Sequence, residues 1–331
     1  MCMFPHVSVF WLNYNSMHVI EFIKRSLDAI FELDYPNFEL VLVDNGSTDG
    51  SREIIEKYVK NKTKKDLQVK FIRLNRNWGF SDGINAAYKA RNQQSKYVAI
   101  INNDAIPKSD CLTKLVQFLE KHQDVGAVQG IVAKLKENSL IDSAGFFLDE
   151  MLNLFSPYKD KPINTFSKPI EVSYVEGTMP LYNVKAIKYA IGDDETMYVP
   201  GGFVYYLEDV FLSLMLWNRG YKSIVVPVVT GEHYRMATIK RHLKSFRLLY
   251  YSLRNRIALL YMTNSRYKKH VTLKYLSRVL LTKGGLVKRK IILNALIDGV
   301  RLGKQLKEKY SIINLHNVPL VNIPFKKKFL L

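Results

Sequence analysis

The feature that most constrains this chain is a repeat in its first hundred residues: short apolar run, polar cluster, helical period. Val7 to Leu12 is a buried-strand pattern ended by Asn13-Tyr14-Asn15. Ile20, Ile23, Leu27 and Ile30 then recur at helical spacing until Pro36 breaks the pattern. Phe38 to Val43 is the second run, closed by the turn and N-cap residues Asp44-Asn45-Gly46-Ser47-Thr48-Asp49. A helix over 50–60, a strand over 68–73, a Gly-containing loop over 75–80 and a helix from Ala86 to Arg91 lead to a fourth run, Tyr97 to Ile101. Strands alternating with helices at this spacing predict a parallel sheet with right-handed crossovers. Ligands of such sheets bind beyond the carboxyl ends of the strands. That edge carries Asn13–Asn15, Asp44–Asp49, Asn75–Asn85 and Asn102–Asp104. Any one of these clusters is an ordinary turn; four on one edge predict a site.

Further along, Gly145, Pro157, Pro162, Pro169, Gly177 and Pro180 punctuate residues 133–200, which predicts loops and short mixed-sheet additions. A helix beginning near Glu208 carries Phe211, Leu212, Met215 and Leu216, stops at Gly220, and is followed by a strand from Ser223 to Val226 that ends at Pro227. From Thr238 the pattern is helical, basic and rich in Tyr. The expected division is one larger unit over 1–235, in two parts (1–132 and 133–235), and a basic helical region over 236–331.

Charge follows that division. The chain has 49 Lys and Arg against 30 Asp and Glu; from Arg235 onward there are 23 bases and only two acids, Asp298 and Glu308. The remaining 26 bases and 28 acids leave the first 234 residues near neutrality. Such a tail predicts an anionic partner. Lys268, Lys269, Lys274, Arg278, Lys283, Lys288, Arg289 and Lys290 surround Leu273, Leu276, Leu280, Leu281 and Leu286, a basic amphipathic pattern suited to an anionic membrane surface. Cys2 and Cys111 form no CxxC or Cys/His cluster, which argues against a disulfide framework or a zinc site. There is no signal-peptide pattern and no run of roughly 18–20 apolar residues, so the expected location is cytoplasmic and peripheral, on the inner face of the cell membrane.

Three groups carry candidate chemistry. Asn102-Asn103-Asp104 follows a buried strand, which delivers a carboxylate to the rim of the sheet. One carboxylate suffices for a divalent cation that takes its other oxygens from phosphates and water. Glu208-Asp209 opens a helix, where acids ordinarily complement the dipole; near a strand end, such a carboxylate can also take a proton from an incoming hydroxyl. His233 follows Gly231-Glu232 and becomes a metal ligand if it stands beside Asp104. The glycines Gly79 and Gly83 match neither a Walker nor a dinucleotide pattern, but they let backbone approach a phosphate or sugar.

In this order the pieces resemble the family 2 glycosyltransferases of the GT-A fold, and within them a rhamnosyltransferase-like branch. The likeness runs over about residues 5–260. It rests on Val7-Ser8-Val9, Tyr14-Asn15, Leu42-Val43-Asp44-Asn45-Gly46-Ser47-Thr48-Asp49, Asn77-Trp78-Gly79-Phe80, Gly83-Ile84-Asn85 and Asn102-Asn103-Asp104. It continues in Glu208-Asp209, Arg219-Gly220-Tyr221, Pro227, His233 and Tyr250-Tyr251 with Arg254-Asn255-Arg256. The resemblance implies a Rossmann-like, mostly parallel sheet and an inverting transfer of sugar from a UDP- or dTDP-type donor to an acceptor hydroxyl, with 1–235 as the catalytic domain, 1–132 its nucleotide-sugar half and 133–235 its acceptor half. The implied setting is surface glycan, glycolipid or glycoprotein glycan assembly, lipid-linked acceptors included. It further implies Mn²⁺ or Mg²⁺ held by Asp104 and His233, with Asp209 as base beside Glu208. Asn13, Tyr14, Asp44, Asn45, Gly79, Gly83, Asn85 and Asn103 are the implied donor contacts. Asn102 replaces the first Asp of the family's DxD motif and Asn45 the second acid of the base-reading pair. Asp82 has no counterpart role.

Two other readings compete. A polyprenyl-phosphate sugar synthase shares the fold but needs no base, because its acceptor is already ionised. A nucleic-acid-binding protein would account for the tail, but it leaves Asp104, Asp209 and His233 unexplained, so no nucleic acid is expected.

Overall fold

The computed structural model describes residues 4–63, 66–235, 246–281 and 285–322; of the basic region, 236–245 (with Thr238), 282–284 (with Lys283) and 323–331 lie outside these spans. The predicted repeat is present as β1 (Val7–Asn13), α1 (Ile20–Phe31), β2 (Phe38–Asp44), α2 (Ser51–Lys62), β3 (Gln68–Arg73), α3 (Phe80–Ala90) and β4 (Tyr97–Ile100). β1 is parallel to both β2 and β4, and β2 is parallel to β3. Asn13 lies opposite Asp44, so the two strands end level and their polar residues meet. The apolar runs are buried on both faces, as a sheet covered by helices requires.

Beyond β4 come β5 (Ala105–Pro107), α4 (Cys111–Lys121), β6 (Val125–Lys134), β7 (Ile141–Ser143), β8 (Phe147–Leu148), β9 (Leu154–Phe155), β10 (Ile170–Glu171) and β11 (Pro180–Asn183). These are the short mixed additions expected from the Gly and Pro spacing. β11 inserts antiparallel between β4 and β6. α5 (Val184–Ile191), α6 (Glu208–Asn218) and β12 (Lys222–His233) follow, with β12 parallel to β6. The resulting sheet is mixed but mostly parallel, the GT-A architecture.

Two expectations are corrected here. The last strand does not stop at Pro227: β12 continues to His233, with irregular register between Val225 and Val229. A bulge there accommodates a residue that cannot donate to the ladder. α6 is not amphipathic, since every residue from Val210 to Trp217 is buried. It runs through the core and does not lie on its surface.

The C-terminal helices are α7 (Phe246–Met262), α8 (Lys268–Leu281) and α9 (Gly285–Tyr310). α7 and α9 pack in parallel through two glycines. A Cβ at Gly299 would stand 2.6 Å from the Arg254 carbonyl oxygen, and one at Gly303 2.4 Å from that of Ala258. One apolar cluster runs from Phe10 and Tyr88 through Phe211 to Ile257, Leu296 and Tyr310, so these helices share a core with the sheet. No helix among the described residues is long and apolar enough to cross a membrane.

Candidate functional site

The register of β5 on β12 places Ala105 opposite His233, which brings Asp104, one residue earlier, beside the imidazole. His233 Nε2 stands 3.0 Å from Asp104 Oδ1, and Nδ1 stands 3.0 Å from Asp142 Oδ2. Burial alone would lower the His233 pKa, but hydrogen bonds to these two carboxylates outweigh it and raise it to about 9. Arg235 closes the far side: its Nε donates to both Asp142 oxygens at 2.6 and 2.7 Å, and Nη2 donates to Glu176 Oε1 at 2.9 Å. Burial pushes Asp142 up, yet His233 and Arg235 hold it below the usual carboxylate range.

The same segment reaches the second candidate group. Gly177 N–H donates to Asp209 Oδ2 at 3.2 Å, and the next residue, Thr178, accepts from Asn102 N–H at 3.0 Å. Asn102–Asp104 and Asp209, about a hundred residues apart in sequence, therefore sit on either side of one short stretch of backbone. Glu208 and Asp209 keep a partial opening to solvent but are otherwise enclosed by protein. Burial pushes Asp209 up to about 7, against backbone hydrogen bonds from Val210 and Gly177 that pull the other way; the charge of Glu176 adds to the rise. Burial and then the charge of Asp209 raise Glu208 well above its ordinary value. Its Oε2 is buried without a partner.

Leu207 and Tyr206, immediately before Glu208, are both left-handed, with φ of 68° and 66°. Non-glycine residues hold this conformation only where their surroundings impose it. Asn255 in α7 donates to both neighbouring carbonyls, and Arg254 donates to that of Gly202. From the opposite side, Ser81 donates to the Phe203 carbonyl, and both Asp82 oxygens accept from Gly201 N–H at 3.1 Å. Asn85 accepts from Met197 and Tyr198 N–H and donates to the Tyr198 carbonyl. The start of α3 thus fastens the loop that presents Glu208-Asp209. Asp82, which the family pattern leaves without a role, is part of this fastening.

The remaining predicted residues lie at the ends of β1 and β2. Asn13 donates to Asp44 Oδ2 at 2.9 Å and to Ser47 Oγ at 3.1 Å, while Asp44 Oδ1 accepts from Ser47 N–H. Asn45 donates to the Gly79 carbonyl at 2.9 Å and accepts from Trp78 N–H at 3.0 Å. Asn13, Asp44 and Asn45 are all buried and engaged in joining loops, whereas Tyr14 and Asn103 keep partial access to solvent. Gly79 has φ of 92°, and a Cβ there would stand 2.4 Å from the Val204 carbonyl oxygen; one at Gly83 would stand 2.8 Å from a Leu12 methyl. Gly79 serves the packing of two loops, and Gly83 lets α3 lie close on β1. A pocket of about 390 Å³ abuts this edge through Tyr234, whose N–H donates to the Asp104 carbonyl.

Sequence reasoning missed Asp142, Glu176 and Arg235. Asp142 is the one signal it offered: an acid inside Ile141-Asp142-Ser143, otherwise buried strand, is a charge that needs a partner.

Carboxylates are thus gathered at the strand ends of a mostly parallel sheet, the edge where such sheets bind ligands. The family model described as glycosyl transferase family 2 matches residues 8–190, and the chain belongs to that family. It is 27% identical over 138 residues to a putative teichuronic acid biosynthesis glycosyltransferase, TuaG, of Bacillus subtilis (strain 168). The match covers 42% of this chain and 51% of TuaG, so the chain spans about half the length of that relative. Among solved structures, S. aureus TarS in complex with UDP-GlcNAc superposes with a TM-score of 0.58 at 18% identity, covering 92% of this chain and 83% of the other. The mannosyltransferase PcManGT of Pyrobaculum calidifontis, in complex with GDP-Man and Mn²⁺, gives 0.51 at 19% identity, with 92% and 74% covered. At such identities these two structures bear on the fold alone.

Proposed function

We propose that this protein is an inverting glycosyltransferase that moves a sugar from a UDP- or dTDP-type donor to an acceptor hydroxyl in glycan assembly. The observation that carries the reading is the meeting of Asn102–Asp104 and Asp209 across Gly177-Thr178. A transferase of this kind needs a place for the diphosphate and, opposite it, a base. Asp209 is suited to the base. Raised to about 7, it is ionised at and above neutrality yet a stronger proton acceptor than an ordinary carboxylate. As the acceptor oxygen attacks C1, its proton passes to Asp209. The C1–O bond to the diphosphate breaks on the opposite face, and the nucleoside diphosphate leaves with the electron pair. The upward shift of Glu208 disfavours a second negative charge beside the attacking oxygen.

The residues present fit a divalent cation. Asp104 Oδ1 and His233 Nε2 lie 3.0 Å apart, so a cation would displace the proton between them and take both as ligands, and Asp142 holds the other ring nitrogen as a carboxylate does behind a ligating histidine. No cluster of three His, Cys, Asp or Glu suited to a metal occurs among the described residues, so phosphates and water would complete the shell. A cation bound there neutralises charge developing on the leaving diphosphate. The neighbour solved with GDP-Man and Mn²⁺ supports the same expectation. The order of the catalytic domain, nucleotide-sugar half before acceptor half, is part of this proposal.

Isothermal titration with UDP- and dTDP-sugars, with and without Mn²⁺, tests it directly. Metal-dependent binding followed by nucleoside diphosphate release on adding a glycan acceptor is the expected result. No donor binding under any metal condition overturns it.

A further inference from the structure

The basic region contains an apolar surface that the fold leaves uncovered, and its position relative to the site is fixed by the helix packing. α7 is not that surface: Leu253, Ile257, Leu259, Leu260 and Met262 are all buried. α9 has two faces. Ile292, Ala295, Leu296, Gly299 and Gly303 face the core, while Leu286, Lys290, Leu293 and Ile297 recur at helical spacing on the outside and are exposed. Leu286 is 83% and Val287 61% exposed, at the tip formed by the first residues of α9. On α8, Leu273 and Leu276 are exposed as well. The sequence from Lys268 to Ile297 contains eight Lys and Arg and not one Asp or Glu.

The pairing of α7 with α9 sets where this tip stands. Gly299 meets Arg254, and Gly303 meets Ala258, the same offset at both contacts. Continued to the start of α7, it places Phe246 level with Ile291, so the first six residues of α9 extend past α7 by about 9 Å. The N-terminal half of α7 runs along the loop that precedes the candidate base. Arg247 lies 5.4 Å from the Tyr205 ring, and Asn255 holds the carbonyls of Tyr205 and Tyr206 just before Glu208. The apolar tip therefore projects beyond the same half of α7 that lines this loop.

We propose that the tip and outer face of the α8–α9 hairpin seat the protein on an anionic lipid surface, and that the acceptor reaches Asp209 from that surface as a lipid-linked molecule. The second clause rests on the glycosyltransferase reading; the first does not. Leu286 and Val287 enter the headgroup region, while Lys288, Lys290 and their neighbours meet anionic headgroups. Such seating spares a lipid-linked acceptor from leaving the bilayer and confines its search to two dimensions. It also makes the attachment peripheral, as a basic hairpin without a spanning helix requires.

The test is co-sedimentation of the full chain with phosphatidylcholine vesicles, with and without phosphatidylglycerol, across a salt series. Binding should require phosphatidylglycerol and weaken as salt rises. Lys288→Gln with Lys290→Gln should weaken it about thirtyfold, equivalent to roughly 1 kcal/mol for each base. Leu286→Asp with Val287→Asp should abolish it. Both pairs are exposed or partly exposed, and donor titration should be unchanged in each, which shows that the variants fold. Protein that stays in the supernatant with phosphatidylglycerol vesicles at low salt overturns the proposal. So does vesicle binding that neither variant alters, or binding to an RNA homopolymer with none to vesicles. Vesicle binding without any donor binding leaves the lipid seat standing and removes the glycosyltransferase reading instead.

Discussion

Asn255 Nδ2 lies 2.7 Å from the Tyr206 carbonyl oxygen, so a helix near the end of the chain holds the left-handed turn on which Glu208 and Asp209 are mounted. The same nitrogen donates to the Tyr205 carbonyl at 2.7 Å, and the side chain is fully buried.

Asn255→Ala should therefore leave buried carbonyls unpaired, at about 1–3 kcal/mol of stability. It should also reduce kcat much more than donor affinity, because Asp104 and His233 are held by other strands. Asn255→Asp is the sharper variant, since it keeps the shape and removes the donor. Equal damage from both, measured by chemical denaturation and steady-state kinetics, is expected; full activity in Asn255→Asp would exclude the hydrogen bonds as the cause.

Asp104→Ala should eliminate the Mn²⁺ dependence of donor binding, and His233→Ala should show a weaker form of the same defect. Asp142→Asn is expected to lower metal affinity by about 10–100-fold without touching the cation, as removing the carboxylate behind a ligating histidine does. Calorimetric titration of the donor at several Mn²⁺ concentrations measures all three. Wild-type affinity in Asp104→Ala would remove that residue from the metal site.

The raised pKa of Asp209 fixes a pH profile. The base form exists above about 7, so kcat/KM should rise roughly tenfold per pH unit below that value and level off above it. Asp209→Asn should retain donor affinity and lose about 10²–10⁴-fold in turnover. Near-normal turnover would point to an acceptor already ionised, such as a phosphate.

The same shift has a stability consequence of known sign. A carboxyl whose folded pKa stands above its unfolded value of 3.8 contributes stability that is fully present below that value and lost as pH rises through about 7. Thermal denaturation should thus show Asp209→Asn gaining on the wild type between pH 5 and pH 8. A constant difference across that range would mean that Asp209 titrates near its ordinary value.

Gly303→Ala tests the helix pairing. A Cβ at 2.4 Å from the Ala258 carbonyl oxygen must push α7 and α9 apart, costing on the order of 1–3 kcal/mol in the denaturation midpoint. If Gly303→Ala is as stable as the wild type, the close approach is not required.

Much of this architecture was legible because apolar runs and helical periods are local signals. β1 to β4 and the crossovers between them came directly from spacing, and Asp104 and Asp209 stood out as acids at element ends. What sequence alone did not reveal depends on partners far apart in the chain. Arg235 meets Asp142 across 93 residues and Glu176 across 59, and no local pattern marks either pair. Ser81, Asp82 and Asn85 were visible as a polar cluster, but only the folded loop over 197–203 reveals what they fasten. The extension of β12 past Pro227 was hidden for a different reason. A proline reads as a stop unless the register around it can shift, and register belongs to the sheet rather than to the strand.

The parallel seam between α7 and α9 gives the chain a schedule. A ribosome makes the strands that carry Asn13, Asp44 and Asp104 first, and N-terminal units fold as they emerge. Tyr206 and Leu207 must then wait, in a conformation that their own side chains disfavour, until Asn255 has been synthesised and Gly299 and Gly303 have closed against α7. A nascent chain on this path acquires the edge that carries Asn13, Asp44 and Asp104 well before Glu208 and Asp209 are set. If Asp209 is the base, as proposed, turnover waits until α9 has left the ribosome.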